Sequence, residues 1–240
     1  MKKSIFLSAV FLLFLLVVFT VKAQDNEPAK KGTLEISLGF NAIGPNNEMD
    51  KIMVDNGFDA TTSSGLFGGG SDMEHPSYNK IGFSGLLAYS RYFTSRSQWG
   101  IMVSYSDFDE IWGATENGDL LGIRFSNVSI IPLYRYDFAK VFELTAGPAL
   151  LINFGKRITS SNADVEKYTA VSPGLLCGLN LKIWDRRVTC GKIGTDYLFA
   201  AKSKMGPYST SSWSGEPSTI PESKIGFGHL MVYFTFGFHL

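Results

Sequence analysis

The chain has 240 residues, with 22 basic and 22 acidic side chains, 14% aromatics, 25 glycines and two cysteines. Three of the basic residues, Lys2, Lys3 and Lys22, fall in the first 23 positions, where no acid occurs, so the rest carries 19 basic against 22 acidic residues. That balance excludes the basic stripe of a nucleic-acid binder and a polybasic lipid-surface segment. Two cysteines exclude a disulfide scaffold and a Cys-rich zinc or iron–sulfur site. The aromatic and glycine bias, with only 18% charged residues, points away from disorder and toward an all-β chain.

Residues 1–23 read as a signal peptide: Lys2 and Lys3, an apolar run from Ile5 to Val21, then Val21-Lys22-Ala23 ending on a small residue. Cleavage is expected after Ala23, and no cysteine follows to carry a lipid anchor. The alternative is an uncleaved helical anchor at the lower length limit of roughly 17 residues. Residues 24–32 form a polar tail, and residues 33–240 form one domain.

Beyond the leader the longest apolar runs are five residues, Tyr197 to Ala201 and Leu230 to Phe234. A spanning helix needs roughly 20. Period-two alternation takes over instead, the mark of strands with two unlike faces. In 33–42, Leu34, Ile36, Leu38 and Phe40 oppose Glu35, Ser37, Gly39 and Asn41. The polar stretch 43–78 follows as a long loop. Within it, 46–58 can form a short helix with Met49, Ile52, Met53 and Phe58 on one side. Gly65 to Gly70 lacks the strand–helix frame of a phosphate cradle, and reads as a flexible loop.

Strands are then expected over 79–94, 97–108, 120–138, 141–157, 168–184, 188–202 and 224–240. The clearest is 141–157, where Phe142, Leu144, Ala146, Pro148, Leu150, Ile152 and Phe154 share one face. In 120–138 the alternation slips near Ser126-Asn127, which suggests a bulge. Tight turns at 94–97, 139–140 and 185–187 alternate with long loops at 43–78, 110–119, 157–165 and 203–223. Eight long strands with short turns at one end and long loops at the other predict an antiparallel up-and-down transmembrane β-barrel, with both termini on the periplasmic side.

Alternation alone does not distinguish inside from outside. Two features favour the membrane over a lipocalin-like soluble barrel. The polar faces are rich in small residues, which suits a narrow eight-stranded interior. Aromatics gather at the turn ends: Tyr92, Phe93, Trp99, Tyr134, Tyr136, Phe138, Phe142 and Trp184. That is an interfacial girdle. The alternation then places Glu35, Asp137, Glu143 and Asp196 in the lumen with Arg135, Lys182 and Lys192. Arg91 joins them, although its strand alternates less cleanly. Balanced signs in a narrow bore suggest an ion-paired plug, whereas a selective pore would line its constriction with one sign.

The leader, the eight alternating segments and the end of the chain resemble the small outer-membrane β-barrel family of Gram-negative bacteria, the porin-like or opacity-type proteins. The final strand, with Val232, Phe234, Phe236, Phe238 and Leu240 at alternate positions, is similar to that family's C-terminal assembly signal. It departs in ending on Leu240 where the family usually has Phe. The resemblance implies the outer membrane as location, lipid and the barrel-assembly machinery as partners, and a monomer. It covers nearly all of the mature chain but leaves function open, because the fold hosts porins, adhesins, tethers and lipid-modifying enzymes.

The three histidines, His75, His229 and His239, are too scattered for a metal site. None has the acid and serine of a hydrolytic triad at an external lipid interface. The reading is therefore a non-enzymatic surface or envelope protein, with no cofactor and no metal, acting through loops 43–78 and 203–223. A narrow channel for ions or small solutes is the alternative, and a lipid-acting enzyme the third possibility. The external ligand is not legible. Cys177 should face lipid and Cys190 the lumen, too far apart to bond.

Overall fold

A computed structural model describes residues 32–60, 62–63, 72–73, 77–78, 81–117, 119–158, 166–210 and 218–240. The leader, most of the polar tail, Gly65–Gly70 and His75 lie outside the described residues. Eight long strands form the fold: β1 (Thr33–Ala42), β2 (Ile81–Tyr92), β3 (Ser97–Ala114), β4 (Leu120–Ala139), β5 (Phe142–Ile158), β6 (Lys167–Asp185), β7 (Thr189–Ala200) and β8 (His229–His239). Each pairs antiparallel with its chain neighbour, and β1 also pairs with β8 from Thr33↔His239 to Ala42↔Leu230. The ring is therefore closed, which leaves no open sheet edge among these strands.

The tight turns at 93–96, 140–141 and 186–188 lie at the same end as Thr33 and His239, the turn end. The long connections lie at the other, the loop end. Most outward positions are apolar: Leu34, Ile36, Leu38 and Phe40 on β1 alternate with buried Thr33, Glu35, Ser37 and Gly39. The same pattern runs through Val232, Phe234, Phe236 and Phe238 on β8. In water such a surface would be an aggregation hazard; in a bilayer it matches the surrounding solvent. At its turn end Trp99, Tyr134, Tyr136, Phe138 and Phe142 face outward. Trp184 joins them by lying over Gly191 against Phe234 and Phe236.

Several expectations change. Tyr92 does not belong to the girdle; it lines the turn-end mouth of the bore. Arg91, one position earlier, is exposed and shares the parity of outward Leu87 and Tyr89, so it is not a lumen base. The bulge expected at Ser126-Asn127 lies in the neighbouring strand. Register between β3 and β4 jumps from Asp107↔Ser126 to Glu110↔Arg124, and Asp109 takes a left-handed φ of 64°. The burial alternation of β4 runs unbroken past that point. What looked like a slip is an apolar lumen face: Leu121, Ile123, Phe125, Ile131 and Leu133 all point inward and are buried. The last strand begins at His229 rather than 224, because Ser223–Ile225 pairs with Ser203–Met205 in the external lobe.

The helix expected over 46–58 is α1 (Pro45–Asp55), with proline in its first turn, where a missing N–H costs nothing. It is not a free-standing loop element. Met49, Met53 and Phe58 are fully buried, and Ile52 packs against the same core. Asn46 anchors the helix start by donating to the Phe108 carbonyl at 2.6 Å. From the other side the segments 203–210 and 218–227 send in Met205, Tyr208, Ile220, Ile225 and Phe227, all buried. The Phe227 ring meets Phe125 edge-on at 5.7 Å and Phe108 at 6.3 Å. An apolar stopper therefore closes the loop end of the barrel.

Candidate functional site

The interior at the turn end is a compact ion cluster. Along the strands like charges are set directly opposite one another, Asp137 beside Glu143 on β4 and β5, and Lys182 beside Lys192 on β6 and β7. Such neighbours repel, so relief must come across the bore. Lys192 Nζ reaches Glu35 at 2.7 Å and both oxygens of Glu143 at 3.0 and 2.8 Å. Arg135 meets Glu35 at 2.6 Å and Glu143 at 3.7 Å. Two acids thus share two bases, all four buried. A second pair, Lys182 with Asp137 at 2.6 Å, lies nearer the exit.

Burial of six charges is tolerable only when hydrogen bonds complete their shells. Asn180 donates to Glu143 at 3.2 Å and to Thr145 at 2.9 Å. Gln98 extends an amide toward Glu143 at 3.5 Å and accepts from Ser90 at 2.7 Å. Gln98 and Ser90 escaped the sequence reading, and Asn180, on the lumen face of 168–184, was not counted in the network, because the reading followed charge alone. Their inward parity, opposite outward Trp99, Tyr89 and Leu179, was the available signal. Below the cluster a cavity of about 10 Å³ opens among Glu35, Tyr92, Gln98, Lys182, Cys190 and Lys192, room for about one water.

Asp196 corrects the expected network. It is fully buried in mid-bore, yet no cation lies within ion-pair distance of it among the described residues. It stands four residues up β7 from Lys192, outside ion-pair distance of the quartet. The Tyr233 hydroxyl lies beside its carboxylate. Gly178, its partner on β6, makes room for it: a Cβ there would lie 1.6 Å from Asp196 Oδ1. A Cβ at Gly194 would likewise strike the Tyr233 ring at 2.3 Å. Tyr233 crosses that space and donates to Asn180 at 3.0 Å.

Higher up, small polar groups link strands: Ser84 to Ser106 at 2.9 Å, and Asn153 to Ser172 and Ser203 at 2.9 and 3.1 Å. His229 sits here, fully buried, with Nε2 3.0 Å from Ser106 Oγ and Nδ1 2.9 Å from the Phe227 carbonyl. The orienting partner of this Ser–His pair is thus a backbone carbonyl, inside the barrel and away from lipid. His239 sits at the turn end. Its Nδ1 meets Thr33 Oγ1 at 2.9 Å and its Nε2 meets Asp185 at 2.8 Å. That chain ties β1, β8 and β6 together across the seam that closes the ring. In the external lobe the buried Tyr208 hydroxyl lies in van der Waals reach of Gly155, and burial pushes its pKa up.

Cys177 is exposed on the outer face, Cys190 is buried, and both are free thiols. The hairpin register differs from the simple turn count: Cys190 lies opposite Asp185 and Cys177 opposite Tyr197, with an irregularity between Gly191 and Lys192. Among the described residues no group of three potential metal ligands occurs.

No family model matches the chain, and no curated relative does. Solved structures similar to it include the attachment invasion locus protein Ail of Yersinia pestis, at 15% identity and a TM-score of 0.42 over 87% of this chain and 99% of that one. The outer membrane protein OprG of Pseudomonas aeruginosa gives 14% and 0.48 over 88% and 98%. The outer membrane protease OmpT of Escherichia coli gives 9% and 0.42 over 92% and 100%. At these identities nothing about activity passes from them to this chain. The protein is a closed eight-stranded antiparallel β-barrel on its own strand pairing.

Proposed function

We propose that this protein is a non-enzymatic, non-conducting barrel of the outer membrane that holds an external surface, built from α1 and the segments 203–210 and 218–227, rigidly outside the cell. The observation that carries the reading is the filling of the bore. Ion pairs occupy its turn end, Tyr233 and Asp196 its middle, and Met49, Met53, Phe108, Phe125 and Phe227 its loop end. A barrel used as a conduit would keep a hydrated path lined by one sign of charge. The outward apolar band supports insertion in a bilayer, and the alternating Val232, Phe234, Phe236, Phe238 and Leu240 support recognition by the assembly machinery.

In this reading the interior is scaffold and the loop end is the working surface. Refolded protein reconstituted in a planar bilayer should stay silent at the single-channel level. Steady conductance, with Glu143→Ala changing ion selectivity but not stability, would make the narrow channel the better function.

A further inference from the structure

The outer face of the barrel carries a row of charges that the filled bore does not explain. Arg124 on β4 is the register partner of Lys156 on β5, and Lys156 is the partner of Lys167 on β6. All three share the outward parity of their strands. Three cations therefore stand side by side at one height, with directly opposed Cα atoms about 4.5–5.5 Å apart. Like charges so placed repel. Inside the bore the same problem is solved across the lumen. On a convex outer wall the side chains diverge from the opposite strands, and no such partner is within reach.

Arg124 has local relief from Asp107 and Glu110 on β3. Lys156 and Lys167 have none: both are exposed, and no carboxylate among the described residues lies within ion-pair distance of either. Glu166, next in sequence to Lys167, is turned to Arg157 at 3.5 Å and to the Ser209 amide at 3.3 Å. Toward the turn end from the row, the outward residues are Phe154, Ile152 and Leu150 on β5, Thr169 followed by Val171, Pro173 and Leu175 on β6, and Ser126 followed by Val128 and Ile130 on β4. The row thus marks the loop-end edge of the apolar band. Elsewhere Phe40, Ile81 and Phe199 are outward near the loop end, and the exposed Lys202 beyond Phe199 is already paired with Glu48 at 2.8 Å.

Two cations without a carboxylate partner among the described residues, at the edge of a mainly apolar wall, fit an amphiphile with an anionic head. We propose that Lys156 and Lys167, flanked by Arg124, form a headgroup site for a phosphate-bearing lipid of the leaflet at the loop end. The phosphate bridges the two ammonium groups while the acyl chains lie along Phe154 and Val171. This inference rests on the transmembrane reading of the barrel.

The test uses the full mature chain in nanodiscs of phosphatidylcholine doped with phosphatidic acid, with lipids retained on the released barrel counted by native mass spectrometry. The parent should retain phosphatidic acid over phosphatidylcholine. The Lys156→Gln/Lys167→Gln variant should lose about 30-fold in that preference, from two near-surface cations. Arg186→Gln/Arg187→Gln, at the opposite end, should not. Equal retention by the parent and the Lys156→Gln/Lys167→Gln variant would overturn the site. If inorganic phosphate displaces the lipid at matched concentration, the row is a phosphate site of the aqueous side and the lipid assignment falls. Heat-modifiable migration of each variant checks folding. A parent that never inserts would instead refute the transmembrane reading, a result separable from loss of lipid selectivity in an inserted barrel.

Discussion

Glu143 is the most connected member of the ion cluster, and Glu143→Ala is the sharpest probe of it. The carboxylate is fully buried and accepts from Lys192 through both oxygens, from Asn180 at 3.2 Å and from Gln98 at 3.5 Å, with Arg135 at 3.7 Å. Its removal leaves two buried cations sharing the single carboxylate of Glu35. Breaking a buried pair from one side costs roughly 3–5 kcal/mol. Glu35 still holds Lys192 at 2.7 Å and Arg135 at 2.6 Å, and the small cavity beside them admits water. Both features argue for the lower end, about 3 kcal/mol. Urea unfolding of the barrel in detergent micelles, followed by tryptophan fluorescence, reads this directly. The combination Glu143→Gln with Lys192→Met removes both charges while keeping most of the volume, and should recover most of the loss, since neutral replacement of a whole buried pair is often harmless. A loss under about 1 kcal/mol for Glu143→Ala, the range of an exposed pair, would mean that the cluster is solvated. The plug, and the silent bore that depends on it, would then be wrong.

Three further outcomes follow from the packing. Met53→Ala removes a fully buried side chain from under α1 and should cost about 2–5 kcal/mol locally, seen as faster proteolysis within 43–60 while the barrel keeps its heat-modifiable band. Cys190 and Cys177 are separated by seven positions along paired strands, about 23 Å at 3.3 Å each. Intact mass under non-reducing conditions should show two free thiols, and aqueous maleimide should spare Cys190 until the barrel unfolds. Phe238→Asp or Leu240→Asp should reduce membrane assembly, because a charge enters the outward face of the strand that closes the ring on β1; normal yields of folded protein in both variants would refute this.

Much of the architecture was legible from residue order alone. Period two has only two outcomes per strand, and one apolar face fixes which residues stand together. That is why Glu35, Arg135, Glu143, Lys182 and Lys192 could be placed on the lumen side before any pairing was known, and why the turns at 94–97, 139–140 and 185–187 located one end of the barrel. The reading weakened where parity carried no contrast. On β4 the lumen face is itself apolar at Leu121, Ile123 and Phe125, so an unbroken strand looked interrupted, and Arg91 and Tyr92 exchanged faces for want of a clear neighbour.

Which charges meet was decided only by the tertiary structure. Strand stagger sets the height of each residue in the bore, and neither stagger nor the distance across a closed ring is written in local sequence. Stagger set Asp196 apart from the quartet and brought Glu35 on β1 between Arg135 and Lys192 on β4 and β7. It also lined up Arg124, Lys156 and Lys167 on the outer wall. The apolar stopper has the same origin. Met49 and Met53 on α1 lie far from Phe227 in the chain, and only closure of the barrel gives them a common pocket to fill.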